Sequence, residues 1–154
     1  MRVKDLMSQP LSTCNIHDSA ASAAQIMWEH DCGIVPVVDD SGRLVGVVTD
    51  RDVCMAAYFQ NRPLTEVPIE HFMSRDLSAC HPEDALAHAE QLMVDRQIHR
   101  VPVVDSAGAP IGILSVSDLA REAVRTGNGR HHGEPNEALL NTVAAISKPR
   151  WASR

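Results

Sequence analysis

The chain has 154 residues, a net charge of −6 from 20 acidic and 14 basic side chains, and aromatic residues at only 3%. A nucleic-acid surface needs concentrated Lys and Arg beside aromatic stacking platforms, so this composition argues against nucleic acid as a partner. No apolar run has the length of a signal peptide core or a membrane span, and the 4 cysteines form no CxxC motif. We therefore expect a cytoplasmic protein with no membrane partner and no disulfide framework.

An internal repeat with a period of 66 residues is the most regular feature of the sequence. Between Met7 and Asp52, 18 of 46 residues are identical to the residue 66 positions later, and no gap is needed. The longest shared run, Val-Pro-Val-Val-Asp, occurs at 35–39 and 101–105. Such a repeat indicates one supersecondary unit in tandem, whose copies normally stack to bury a shared face. Any site built from repeated residues is therefore expected as a pair.

Each copy begins with a predicted strand and helix. In the first copy a short strand spans about residues 11–14, and Asp18 is a suitable N-cap for a helix over about 19–31. Helical spacing places three apolar residues of each copy on one face of this helix, which predicts a buried face. These residues are Ala20, Ala23 and Met27, with Leu86, Ala89 and Met93 at the matching positions.

A hairpin and a second helix complete each copy. The apolar strands 34–39 and 44–49 are joined by a predicted tight turn at 40–42, and a helix then runs to about Phe59. The second copy repeats this order and ends with a helix over 115–125. The predicted unit is therefore β-α-β-β-α, twice, in an α/β (α+β) fold whose apolar strands are covered by helices.

The repeat also predicts the division of the chain. We expect a first repeat at 1–60, an inter-repeat loop at 61–68, a second repeat at 69–126, and a linker with a C-terminal helical tail at 127–154. Within the tail, the pattern predicts an exposed linker to Pro135 and an amphipathic helix from Asn136 to Ile146.

The start of the last helix in each copy carries the strongest candidate chemistry. Thr49 and Asp52 recur as Ser115 and Asp118, at a junction where backbone N–H groups of a helix lack partners and attract anions. The hydroxyl can donate to a phosphate, and the carboxylate can accept both vicinal hydroxyls of a ribose. The same spacing is also that of a capping box. The two interpretations are compatible, because a cap can exchange its partner for a ligand.

Residues around these junctions complete a candidate nucleotide site. The strands at Ile34–Pro36 and Arg100–Pro102 offer flat apolar walls for adenine. Arg100 and Arg51 are candidate phosphate partners, and neither has a basic counterpart in the other copy. We therefore expect the copies to bind unequally, with higher affinity in the copy that contains Asp52.

The unit resembles the CBS domain, named for cystathionine β-synthase, in its Pro-Val-Val-Asp strand and in the Gly-apolar-apolar-Thr/Ser-x-x-Asp endings at 46–52 and 112–118. The chain is most similar to stand-alone bacterial CBS-pair proteins such as the hypoxic response proteins. This resemblance implies two repeats packed as a CBS-pair (Bateman) module, a homodimer, and clefts between repeats that hold AMP, ADP, ATP or S-adenosylmethionine as regulatory ligands rather than required cofactors.

The resemblance also implies a role for the first strand of each copy. In the family these positions lie near the base or ribose, which adds Thr13, Cys14, Ala79 and Cys80 to the candidate ligand-binding residues. The alternative for the cysteines is a structural one, because a buried Cys behaves as a small apolar residue.

No nucleophile-elbow, Walker or HExxH motif occurs, so neither catalytic nor metal-binding residues are predicted. Two functions remain. One is a regulator, of the energy-sensing kind, which signals to an unknown effector protein when an adenosyl ligand changes its conformation. The other is a ligand-independent, dimeric interaction or stress-response scaffold.

Overall fold

The computed structural model describes residues 1–127 and 137–147, with side chains from 1–125 and 140–147. It contains helices and strands in the order predicted by the repeat. They are β1 (Cys14–Asn15), α1 (Ala20–Glu29), β2 (Ile34–Val38), β3 (Leu44–Thr49), α2 (Asp50–Gln60), α3 (Leu86–Arg96), β4 (Arg100–Val104), β5 (Pro110–Ser115), α4 (Val116–Gly127) and α5 (Glu137–Ile146). The predicted linker and the residues after 147 lie outside the described residues. None of the described helices combines the length and hydropathy that a membrane span requires.

The chain forms two compact units. The first unit contains Pro10–Leu77 and Val104–Pro110, and therefore α1, α2 and the strands of the first copy. The second unit contains Met1–Gln9, Ser78–Val103 and the described residues from Ile111 onward, and therefore α3, α4 and α5. Each unit holds one complete set of the candidate site residues.

The sheet of the first unit has the order β1-β2-β3. β1 is parallel to β2, with Cys14 beside Val37, and β2 is antiparallel to β3, with Ile34 opposite Thr49. In the second unit β4 pairs with β5, and an isolated bridge between Cys80 and Val103 stands where the first copy has β1. The predicted first strand is thus shorter than expected and shifted toward the helix, and its second copy is a single bridge.

The short segment before each copy crosses the last strand of a unit. In the first unit Ser74 bridges Val47, and in the second unit Ser8 bridges Ile113. The crossing chain lies so close that a Cβ on Gly112 would sit 3.2 Å from the Ser8 carbonyl oxygen. A side chain at Gly112 would therefore press against this segment, and one at Gly46 of β3 would press against Met73 and Ser74 in the same way.

Each unit has its own buried core. In the first unit Val35, Val37 and Val48 from the sheet pack with Ala23 of α1 and with Ile69. In the second unit a corresponding cluster joins both strands to α3, α4 and α5; it consists of Val3, Cys80, Ala89, Met93, Val101, Val103, Leu114, Leu119 and Ile146. The predicted buried faces of α1 and α3 are confirmed, since Ala20, Ala23, Ala89 and Met93 are buried while Met27 and Leu86 pack against the cores.

One predicted helix cap is wrong. The N-cap of α1 is Ser19, whereas the Asp18 carboxylate accepts a hydrogen bond from the backbone N–H of Asn15 at 2.8 Å. Asp84 makes the same contact with His81 at 2.8 Å. These carboxylates close the turn before the helix and leave its first turn uncapped, which is the other common use of Asp in local structure.

Candidate functional site

The strand–helix junction of the first unit is a complete capping box. Thr49 is the last residue of β3 and the extended N-cap of α2 (φ −108°, ψ 164°). Its backbone N–H and its hydroxyl both donate to Oδ2 of Asp52, each at 2.8 Å, and its Oγ1 accepts from the Asp52 N–H at 3.2 Å. No described residue donates to Asp52 Oδ1. The half-buried carboxylate thus combines a structural cap on one oxygen with an open acceptor on the other.

The backbone at the start of α2 is not the open anion site that the sequence indicated. The N–H of Asp50 donates to the Gly33 carbonyl at 3.4 Å, and the N–H of Arg51 donates to the Asp50 carboxylate at 2.8 Å. The N–H of Asp52 is taken by the cap. That part of the prediction is wrong, because the chain satisfies these donors itself. The exposed Arg51 side chain remains available beside Asp52.

The matching junction of the second unit carries the same box with two additional partners. Ser115 donates to Oδ2 of Asp118 from its N–H at 2.7 Å and from its hydroxyl at 2.5 Å. Oδ1 of Asp118 accepts from the Ser8 hydroxyl at 3.0 Å and from Nη2 of Arg121. Asp118 is only 4% exposed. Both of its oxygens are therefore occupied by protein donors.

Ser8 and Arg121 are not among the site residues predicted from the sequence. Arg121 follows Asp118 by three residues on α4, and that helical spacing is a recognisable signal for an ion pair. Ser8 lies 110 residues away and had only one signal, its match to Ser74 in the repeat.

A shallow cavity of about 210 Å³ lies beside Asp118 within the second unit. It is lined by Asp5, Leu6, Ser8, Asp118, Arg121, Glu122 and Arg125. Arg125 donates to both carboxylate oxygens of Glu122 at 2.7 Å, and this hydrogen bonding lowers the pKa of Glu122. Both arginines of the wall are thus paired with acidic neighbours.

The predicted apolar walls lie next to the junctions. In the first unit Ile34 and Pro36 are buried in β2, and the pairing with β3 places Ile34 directly opposite Thr49. In the second unit Pro102 is buried in β4 and its carbonyl accepts from the N–H of Cys80 at 3.0 Å. Arg100, at the exposed start of β4, makes no ion pair with any described residue.

The two cysteines among the candidates are core residues. Cys14 and Cys80 are each 1% exposed, and burial, assisted by the nearby Asp18 and Asp84 charges, raises the pKa of each thiol to about 11. The residues that precede them, Thr13 and Ala79, are exposed. This geometry favours the structural alternative for the thiols, because neutral, enclosed side chains have little to offer a polar ligand.

The family profile described as "CBS domain" matches residues 3–58 and 69–125, which together contain both junctions. The chain belongs to the CBS domain family. The resemblance drawn from the repeat is confirmed, and so is the mixed α/β fold of a CBS pair.

Relatives of the same size support this assignment. The chain is 36% identical over 118 residues to the CBS domain-containing protein YhcV of Bacillus subtilis, which covers 77% of this chain and 82% of the relative. It is 31% identical over 150 residues to Hypoxic response protein 1 of Mycobacterium tuberculosis, covering 95% and 94% of the two chains. Two homoserine O-acetyltransferases also match this CBS pair, over 24% and 23% of their length, so the similarity involves only a small part of each enzyme.

A solved structure of a CBS pair adds information on ligands. The CBS domain pair of protein MJ0100, in complex with 5′-methylthioadenosine and S-adenosyl-L-methionine, has 30% identity and a TM-score of 0.73, covering 84% of this chain and 98% of that chain. This related CBS pair therefore binds adenosine-containing ligands.

Proposed function

We propose that this CBS pair is a regulatory protein that binds an adenosyl ligand at a strand–helix junction and signals to an effector protein. The open Oδ1 of Asp52 carries the proposal, because it is a fixed acceptor beside an apolar strand. Support comes from the CBS pair of MJ0100, a relative of 30% identity that was crystallised with 5′-methylthioadenosine and S-adenosyl-L-methionine. The ligand is regulatory and is not required for folding.

Each part of the ligand has a proposed partner. The vicinal hydroxyls of the ribose donate to Asp52 Oδ1, while Oδ2 continues to hold Thr49. Adenine lies against the strand that contains Ile34 and Pro36, where backbone groups can read its edge. The exposed guanidinium of Arg51 takes a phosphate or carboxylate of the ligand.

The regulatory output requires a difference in affinity. A ligand shifts a protein between two arrangements only to the extent that it binds one of them more tightly. We propose that the acting form is a cytoplasmic homodimer, that AMP, ADP, ATP or S-adenosylmethionine is the signal, and that energy sensing is the role if the signal is a nucleotide.

Thermal unfolding tests this proposal. We would measure the midpoint with and without millimolar 5′-methylthioadenosine, S-adenosylmethionine, AMP, ADP and ATP. A ligand present at 100 times its Kd adds about 2.7 kcal/mol to stability, which raises the midpoint of a domain this size by roughly 5 °C or more. The matched variant is Asp52→Asn, whose single side-chain oxygen can still cap Thr49 while its amide cannot accept a ribose hydroxyl.

A midpoint that rises for the wild type and not for Asp52→Asn supports the proposal. No shift with any of the five compounds would contradict it and favour the second function, a ligand-independent interaction protein. That alternative has its own support in the first unit, where Trp28, Tyr58 and Phe59 are 88%, 75% and 72% exposed. Exposed aromatic side chains are common anchors in protein–protein interfaces.

A further inference from the structure

The number of free acceptor positions differs between the two carboxylates. A carboxylate offers about four lone-pair positions, two on each oxygen. Asp52 uses two of them, both on Oδ2 for Thr49. Asp118 uses two on Oδ2 for Ser115 and two on Oδ1, for Ser8 and Arg121. A ribose that donates two hydroxyl hydrogen bonds therefore finds room on Asp52 and none on Asp118.

Of the two donors to Oδ1 of Asp118, Arg121 is the one whose residue type differs between the copies. The position 66 residues earlier is Met55, which is also three residues after its aspartate and therefore one helical turn beyond it. A thioether has no hydrogen to donate, so Met55 cannot occupy the carboxylate. Serine is present before both copies, at Ser8 and Ser74, yet in the described part of the chain only Ser8 donates to an aspartate of the pair.

The surroundings of Asp118 also oppose ribose binding. The carboxylate is 4% exposed and its charge is neutralised by the Arg121 guanidinium, whose side chain is 69% exposed. A ligand would have to break a buried charged hydrogen bond before it reached the carboxylate, and such bonds are costly to break without replacement.

We propose that Arg121 restricts ribose binding to the copy that contains Asp52, so that the chain takes one adenosyl ligand although its repeat supplies two candidate carboxylates. Arg121 is a specificity-determining residue that acts by occupying Asp118. This inference rests on the proposed function, because it assumes that an adenosyl ligand binds through an aspartate of this pair.

Isothermal titration with 5′-methylthioadenosine tests the inference. This probe has no charge on its sulfur substituent, so an added or removed arginine does not change its affinity through simple attraction. We expect one molecule per wild-type chain and a Kd at least about tenfold weaker in Asp52→Asn, since hydrogen bonds to a charged group are lost. In the same Asp52→Asn background, Ser8→Ala with Arg121→Met should restore binding, because Oδ1 of Asp118 is then free.

The reciprocal variant leaves the second unit intact and keeps the test informative if the triple variant fails to fold. Met55→Arg places a donor beside Asp52 and should weaken binding by about tenfold or more, whereas Met55→Leu should leave the Kd unchanged. A stoichiometry of two in the wild type, or an unchanged Kd in Met55→Arg, would overturn the inference while the proposed function stands. Binding that survives Asp52→Asn would overturn both, because the proposed function also places the ribose on Asp52. If the wild type does not bind 5′-methylthioadenosine and its unfolding midpoint does not shift with any adenosyl compound, the proposed function itself is overturned.

Discussion

At the scale of single residues, some equivalent positions of the two copies have different surroundings, and others have the same surroundings. Asp52 and Asp118 are identical in the sequence, yet the first is half-buried with a free oxygen and the second is saturated. Cys14 and Cys80, in contrast, are matched in burial and in the elevation of their pKa. The two cysteine positions are thus more alike than the two helix starts.

Because of the buried thiols, we expect the protein to lose stability in alkaline solution. Their pKa rises from 9.0 to about 11 on folding, so the native state keeps protons that the unfolded chain releases. The stabilisation that the protonated thiols provide is complete below pH 9 and declines as the pH rises toward 11. At pH 10.5 the free energy of unfolding is lower by about 2 kcal/mol for each thiol. Urea unfolding at pH 8 and pH 10.5 measures the effect.

Other groups titrate in the same range, so the comparison must include variants. Cys14→Ala and Cys80→Ala lose core volume at every pH but should show a smaller decline between pH 8 and pH 10.5 than the wild type. Cys54→Ala is the control, because Cys54 is exposed and its removal should leave the decline unchanged. Equal declines in all four proteins would show that the buried thiols do not govern this change.

At the scale of elements, the close crossing of a chain segment over a strand explains the glycine in the Gly-apolar-apolar-Thr/Ser-x-x-Asp ending. A Cβ on Gly46 would lie 2.6 Å from Sδ of Met73 and 3.3 Å from the Ser74 carbonyl oxygen. The sulfur belongs to a flexible side chain that can move, but the carbonyl is held by a backbone hydrogen bond between Ser74 and Val47. The glycine is therefore a packing requirement rather than a turn residue.

Gly46→Ala should lower the free energy of unfolding by about 1–3 kcal/mol, the usual effect of overpacking a close contact. Combining it with Met73→Ala should give a loss smaller than the sum of the two, because the second change removes the nearest clash. Urea unfolding of the single and double variants measures both quantities.

Gly42→Ala is the control for this prediction. No atom lies within 4 Å of a Cβ at Gly42. The free energy of unfolding that Gly42→Ala loses therefore comes from the positive φ of 80° alone and is about 1–2 kcal/mol. That loss should be additive with Met73→Ala. Additivity at Gly46 as well would mean that the Met73 side chain does not set the need for glycine there.

At the scale of the whole molecule, the tail helix makes the two cores different. α5 packs against α3 and α4, and its Ile146 is 4% exposed in the core of the second unit. The first unit has no such helix among its described residues, and on its α1 and α2 large aromatic side chains are exposed instead. The tail is thus a structural part of one unit.

Ile146→Ala should lower the free energy of unfolding by about 2–4 kcal/mol, because it removes buried methyl groups and leaves a cavity. Leu140→Ala on the same helix is the control. Because Leu140 is 51% exposed, this variant should change the free energy of unfolding by no more than about 0.5 kcal/mol. Urea unfolding of both variants checks the prediction. Equal losses would mean that α5 contributes through helix formation rather than through the core.

The sequence by itself determined the repeat, the order of helices and strands, the buried faces of α1 and α3, and the capping-box pattern at Thr49 and Ser115. The repeat is visible when the sequence is compared with itself, and the other features depend on residues close in the chain, where periodicity and turn chemistry act directly. Asp18 shows the limit of such reasoning, since the same carboxylate can cap a helix or close the preceding turn, and local sequence does not separate the two.

Only the tertiary structure decided which partners the repeated residues have. Ser8 reaches Asp118 across 110 residues, and the glycine of β5 is required by a segment that precedes the other copy. Such contacts depend on how distant parts of the chain pack, and a repeat predicts equal partners for equal residues. The two aspartates differ because Arg121 and Ser8 fill one carboxylate. The helical spacing of Arg121 is visible in the sequence, whereas the Ser8 hydrogen bond depends on three-dimensional position alone.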